Sequence, residues 1–408
     1  WPEAVDQPAT DVDRDRAKDG SHVPGYREGD AADFRPAEIE GCYIENSETP
    51  RSSGMISVIA VDLADPSHPH TTTCYAGAAF TLYSSTEALY LAAEDYRVGP
   101  LPEVGMAVGM PAYEQRTLVH KFAFAGLAVE YRGSAALPGH LADTPREASF
   151  RFSEAGEDLR VVTEASQSFG WFEPMPVDVE LDEAERGEEE DDAAATVDRE
   201  VAEDTSPVIL TILRDQGNGS DLAVIASLPN EQRPQAIGLP GERLYASRFL
   251  GDTLYLITFR TIDPLYVIDL SDPFDPYIAG SLKIEGFSDY LHPLGEGLML
   301  GIGKDAWPDE NGGGESRGAW EQGLQVVLFD VQDPRQPMAL TRQLIGQRGT
   351  DAEVLRDHLA FAGMPTDTGY RFAFGVSLHD DPGFVFDPAN PWRGDGAKFA
   401  HHGLHRFA

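Results

Sequence analysis

The residues best suited to chemistry fall in a few short stretches. Arg260 and Asp263 lie in RTIDP, where a guanidinium close to a carboxylate can grip a ligand's carboxylate or sugar, or else lock one loop to the next strand unit. Asp289, Tyr290 and His292 follow in SDYLHP, and in an extended chain Tyr290 and His292 share a face. His292 there could ligate a metal or donate a proton; the competing reading is an imidazole whose nitrogens are satisfied by neighbours and tie strands together. Asp351, Glu353, Asp357 and His358 form an equivalent acidic and histidine group further along, which places both sets at one opening of the fold. Asp305, Asp309 and Glu310, beside the run at 311–314, offer the oxygen ligands calcium prefers, but not in the spacing of a calcium loop. His401 and His402 are adjacent but lack defined partners.

No G-x-S-x-G, H-E-x-x-H or P-loop pattern occurs, and Gly301-x-Gly303 inside an apolar run is too short to be a dinucleotide fingerprint. A chain with no complete catalytic set reads as a binding or scaffold module more readily than as an enzyme. The alternative is a hydrolase or lyase using Asp289, His292 and Asp351, with calcium as the cation it could recruit. Otherwise no cofactor is expected.

The elements that must position these residues come from a repeat. An apolar strand, then Asp-x-x-Asp-Pro-x-x-Pro, then another strand recurs as VIAVDLADPSHP, YVIDLSDPFDP and VVLFDVQDPRQP. Asp before Pro starts a turn, because its carboxylate can accept backbone N–H bonds, and the second Pro holds the chain extended into the next strand. Between copies lie pairs of apolar runs joined by Gly, Asp or Asn, as in ERLYASRFLGDTLYLITFR and SDYLHPLGEGLMLGIGKD. Third strands are expected near Ile59, Ala123, Thr211, Val267, Val327 and Phe399, about 55 to 75 residues apart with one gap of about 90. That rhythm predicts an all-β chain: a β-propeller of four-stranded antiparallel blades, about six to seven in the complete ring, with both ends of this chain read as truncations. Residues 1–50 read as a flexible leader and 51–408 as the propeller, interrupted at about 176–206 by a disordered acidic insertion.

The chain has 408 residues and a formal net charge of −38. Residues 178–204 alone carry 14 acidic against 2 basic side chains. Such a field repels phosphate backbones, so nucleic acid is excluded as a partner, and the expected partners are a protein, a peptide or a cell-envelope ligand. No apolar run reaches the length of a membrane-spanning helix. Cys42 and Cys74 are the two cysteines, too few for a disulfide framework; they either bridge, as an oxidising compartment would allow, or remain buried thiols.

The block GERLYASRFLGDTLYLITFRTIDPLYVIDLSDPFDPYIAGSLKIEGFSDYLHPLGEGLMLGIGKD resembles a bacterial and archaeal family of secreted proteins with a C-terminal β-propeller, distantly related to WD-40 repeats. GTDAEVLRDHLAF and REASFRFSEAGEDLRVVTEAS extend the likeness. The resemblance implies the propeller fold and a secreted or periplasmic location, and it implies no activity. One departure bears on chemistry: the family favours two histidines around Asp357, whereas here His358 is followed by Leu359.

Overall fold

A computed structural model describes residues 3–4, 25–26, 35–36, 41–44, 54–98, 113–142, 148–165, 206–259 apart from 218 and 220, 263–308, and 319–407 apart from 368 and 388–395. Among these residues, helix is confined to Ala148 and to three short 3-10 segments at Ser149–Arg151, Glu353–Leu355 and His358–Ala360. The remaining regular structure is β.

The repeated turns form for the reason their sequence suggests. In all three copies both aspartates accept a backbone N–H two residues on: Asp62 from Ala64 and Asp65 from Ser67, Asp269 from Ser271 and Asp272 from Phe274, Asp330 from Gln332 and Asp333 from Arg335, at 2.8–3.0 Å. A backbone bond from the residue three beyond the second Asp closes each turn, as from Asp275 N–H to the Asp272 carbonyl at 3.1 Å. Each turn then delivers its chain into the following strand.

Six four-stranded sheets follow one another along the described chain. The second comprises Thr81–Ser84, Ala88–Val98, Tyr113–Ala125 and Ala128–Pro138, and the third Phe152–Ala155, Asp158–Glu164, Val208–Asp215 and Leu222–Leu228. The fourth comprises Arg243–Leu250, Thr253–Phe259, Asp263–Asp269 and Tyr277–Ile284. The fifth is Phe287–Gly295, Leu298–Pro308, Ala319–Asp330 and Met338–Ile345. These four are antiparallel meanders in which neighbours in sequence are neighbours in space. In the sixth, Gly369–His379 pairs on one edge with Asp351–Ala352 and Phe361–Thr366 and on the other with Phe399–Phe407.

The core lies between successive sheets. Tyr90 and Val119 of the second pack on Phe152 and Leu159 of the third; Val162 and Leu210 pack on Leu254 and Ile268 of the fourth; Val267 packs near Leu291 and Phe329 of the fifth; Leu300 and Val326 pack on Val354 and Phe374 of the sixth. Burying both faces of the middle sheets in this way is what stacked blades require, since each fully buried aliphatic or aromatic side chain contributes roughly 1.5–3 kcal/mol. Close approach explains the glycines of the fifth sheet. A Cβ on Gly303 would collide with the Phe287 carbonyl, and one on Gly301 would lie 2.6 Å from the Ser288 hydroxyl oxygen.

The first sheet departs from the expected register. Met55–Val61, read as a third strand on Ile59, is its edge, and His70–Ala76 lies inside it, paired in parallel with Gly41–Ile44, which in turn pairs with Glu3–Ala4. Gly41–Ile44 lies within the stretch read as a leader, so that stretch contributes strand to a sheet. Parallel pairing sets Cys42 beside Cys74, and the two are joined by a disulfide. The acidic insertion lies outside the described residues except at its end, where buried Ser206 donates to the Val208 carbonyl at 2.6 Å and accepts from Ile237 N–H at 2.9 Å.

Candidate functional site

The inner strands of the fourth and fifth sheets and the entries to the third and sixth converge on one depression. Phe150 and Arg151 come from the third sheet's entry, Tyr245 and Ser247 from the fourth, Asp289 and Tyr290 from the fifth, and Arg356 and His358 from the sixth. The space they enclose is small, about 30 Å³ for water-sized molecules. A larger groove of about 960 Å³ opens between the fifth and sixth sheets, where Leu300, Val326, Phe372 and Phe407 face it with few charged groups. The depression holds charged, aromatic and histidine side chains together, the types of group that recognition sites use.

Phe150 is the platform of this mouth. The Ser247 hydroxyl donates to the Phe150 carbonyl at 2.9 Å, fixing the backbone, while His358 meets the ring edge-on at 4.9 Å between centroids. The Arg248 guanidinium lies 5.1 Å from the ring centroid, a cation–π contact. Arg151, 3% exposed, donates to the Leu244 carbonyl at 3.1 Å.

His292 sits in a chain of hydroxyls. Its Nδ1 faces the Tyr290 hydroxyl and its Nε2 the Tyr370 hydroxyl, each at 2.9 Å, with Phe361 packed on the ring at 4.4 Å. Burial, reinforced by the nearby Arg248 charge, pushes its pKa below the ordinary histidine value. The imidazole is therefore neutral at neutral pH, with both nitrogens engaged, and it joins the fifth sheet to the sixth.

Asp351 is held by charge. Arg356 donates to both its oxygens, at 3.0 and 2.7 Å, and the Lys304 ammonium lies 3.6 Å away. Burial alone would push the Asp351 carboxyl up, but the Arg356 bonds and the two positive charges outweigh it and hold the pKa below the usual carboxylate range. Lys304, 8% exposed, also donates to the Thr350 carbonyl. Asp289 is half-buried, and its charge helps to keep Arg356 protonated.

The remaining sequence candidates separate. Arg260 lies outside the described residues, and Asp263 is placed as the first residue of its strand, paired with Ile284. Asp305 accepts from Arg342 at 2.6 Å, while Asp309, Glu310 and the 311–314 run lie outside the described residues. Asp357 caps a 3-10 segment by accepting from Leu359 N–H at 3.1 Å. His401 and His402 lie on the exposed outer strand, with the His402 Nδ1 at 2.9 Å from the Ser377 hydroxyl. Among the described residues no three His, Cys, Asp or Glu side chains gather as a metal site. Phe150, Ser247, Arg248 and Arg356 were not singled out by the sequence. The signal available was Arg248 itself, a charge two residues after buried Ala246 on an inner strand whose alternate positions turn inward.

The sequence matches the family described as "Beta propeller domain" over residues 4–397. The chain belongs to that β-propeller family. Two curated relatives are archaeal and uncharacterised. One, from Methanocaldococcus jannaschii, is 37% identical over 142 residues, covering 35% of this chain and 19% of the relative. The other, from Archaeoglobus fulgidus, is 39% identical over 127 residues, covering 31% of this chain and 18% of the relative. The chain thus matches about a fifth of the length of either. Among solved structures, the Nup133 β-propeller domain of Vanderwaltozyma polyspora aligns over 80% of this chain and 90% of its own, at 9% identity and a TM-score of 0.25. In this propeller no helix among the described residues is long and apolar enough to cross a membrane.

Proposed function

We propose that this propeller is an extracytoplasmic binding module that receives a peptide segment of a protein or cell-envelope ligand at the inner-strand mouth. The observation that carries the reading is the convergence of Phe150, Ser247, Asp289, Arg356 and His358, drawn from four successive sheets, on one depression. Propellers hold such groups on a rigid frame, which favours recognition. The groups a hydrolase or lyase would draw on are otherwise occupied: His292 lies between two phenols, and Asp351 is neutralised by Arg356 and Lys304. The Cys42–Cys74 disulfide supports export, because such bonds persist in oxidising compartments.

The test is selection of peptides from a random library against the immobilised full chain, followed by binding to Phe150→Ala and His358→Ala. Selected peptides should bind these variants at least about tenfold more weakly, the loss of roughly 1.4 kcal/mol. Undiminished binding would remove the mouth as the ligand site. Export is tested separately by thiol titration of protein from its native host, which should find no free thiol; two reactive thiols would contradict it.

A further inference from the structure

We propose that Arg248 anchors a carboxylate of the peptide bound at the mouth, an inference that rests on the binding-module reading and names the chemical group recognised. Arg248 is half-buried, and among the described residues neither a carboxylate nor a hydrogen-bond acceptor engages its guanidinium. Other arginines of the molecule are treated differently. Arg132 pairs with Asp215 at 2.9 Å, Arg214 with Asp158 at 2.6 Å and Arg342 with Asp305 at 2.6 Å. In a chain of net charge −38 carboxylates are in surplus, so a partly desolvated cation left without one is set apart.

Its surroundings prepare it for an anion. The cation–π contact with Phe150 covers the guanidinium from one side at 5.1 Å and leaves its N–H groups for a ligand's two oxygens. Phe150 is itself fixed through the Ser247 bond to its carbonyl. Next to this lies the Tyr290–His292–Tyr370 chain. A neutral imidazole donates at one nitrogen and accepts at the other, so one of the two phenols receives its N–H and keeps its own O–H proton to donate. Phe150 and Tyr290, the two rings that Arg248 approaches, also line the small depression, so the guanidinium stands at its edge, and the apolar walls Leu291 and Leu355 suit the carbons that carry a carboxylate. One free guanidinium matches a monoanion; a dianionic phosphate would meet more of the protein's negative field than this site offsets. The carboxylate belongs to a peptide, as its C-terminus or as an Asp or Glu side chain.

The experiment follows the arginine Nε–Hε resonances of the full chain by NMR at neutral pH during titration with N-acetylglycine, with N-acetylglycine amide and with inorganic phosphate. N-acetylglycine should shift one arginine resonance, the one absent from Arg248→Gln, and the amide should shift none. Phosphate should act at least about tenfold more weakly. Shifts that survive in Arg248→Gln, or equal responses to acid and amide or to acid and phosphate, would overturn the proposal. Should Arg248→Gln fail to fold, Phe150→Leu decides: it keeps the guanidinium but removes its platform, and it must weaken the acid response at least about threefold. Peptides from the library then separate the two sources. Loss of binding on amidating the C-terminus marks the terminal carboxylate, and loss on Asp→Asn or Glu→Gln in the peptide marks a side chain. Peptides that map to the mouth yet ignore Arg248→Gln would sink the carboxylate and leave the binding module standing; peptides that map elsewhere would sink the binding-module reading itself.

Discussion

Between the second and third sheets the molecule pairs its charges, whereas beside the inner-strand mouth one, Arg248, has no carboxylate partner among the described residues. Lys121 lies 3.6 Å from Glu154 and 3.9 Å from Asp215, and Arg132 bonds Asp215 at 2.9 Å. Glu154 also accepts the Tyr90 hydroxyl at 2.6 Å and the Ser85 hydroxyl, while its backbone N–H donates to the Tyr83 hydroxyl at 3.0 Å. Burial, with Glu154 adding to it, pushes the Tyr90 phenol far up, so Tyr90 stays a donor. Such a network is complete within the protein and has nothing left to offer a ligand. Arg248 has a phenyl ring against it and Tyr290 and His292 nearby, but no carboxylate among the described residues. Closed networks hold sheets together; an open one is where a partner can add something.

The two Tyr–His–Tyr chains repeat the contrast with the same side chains. His120, 2% exposed, has its Nε2 at 3.0 Å from the Tyr75 hydroxyl and its Nδ1 at 3.2 Å from the Tyr131 hydroxyl, so it clasps the first sheet to the second. His292 makes the same pair of contacts between the fifth and sixth sheets, but half-buried and within the field of Arg248.

The comparison can be broken by substitution. Glu154→Ala should have the largest effect, about 3 kcal/mol of destabilisation read from the denaturant midpoint, because it removes the nearer counter-charge of Lys121 and the acceptor of two hydroxyls in a sealed interface. His120→Ala should follow at about 2 kcal/mol, and His292→Ala at about 1 kcal/mol, because water can reach part of what His292 leaves behind. If His292→Ala costs as much as His120→Ala, the mouth is as closed as the clasp and the contrast fails.

The smallest expected effect is one of pH. The folded His292 has a depressed pKa, so the unfolded chain binds its proton first, at about 6.5. His292 therefore contributes stability above that pH, and the contribution is lost as pH falls below it toward the folded value. Stability measured from pH 7.5 down to 5 should decline less in His292→Gln than in the parent; parallel declines would mean that this imidazole is not held neutral.

What the sequence made legible was local. The Asp-x-x-Asp-Pro-x-x-Pro turns could be read because each aspartate bonds a backbone N–H two residues away, and four of the six sheets follow as simple meanders. The first sheet could not be read this way. Its register depends on Gly41–Ile44 pairing with a strand beyond the turn and on the Cys42–Cys74 bridge, neither of which has a local signature. The site was half visible. Asp289 and His358 were singled out and line the mouth, but Phe150 and Arg248 come from different sheets and look, in sequence, like ordinary hairpin residues. Glu154, Lys121 and Asp215 escaped for the same reason, since only the packing of sheets makes them a network.

The most direct test of the contrast is a pair of melting curves on the ligand-free full chain, for Lys121→Met and Arg248→Met. Each replaces a cation by an apolar side chain that can fill much of the same space. Lys121→Met should lower the melting temperature, because it leaves Glu154 and Asp215 without a shared counter-charge. Arg248→Met should leave stability unchanged or raise it by about 1 kcal/mol, because it removes a partly desolvated charge that no carboxylate among the described residues compensates. A fall in both would contradict the account: Arg248 would then be a structural cation like Lys121, and the mouth would be another closed interface.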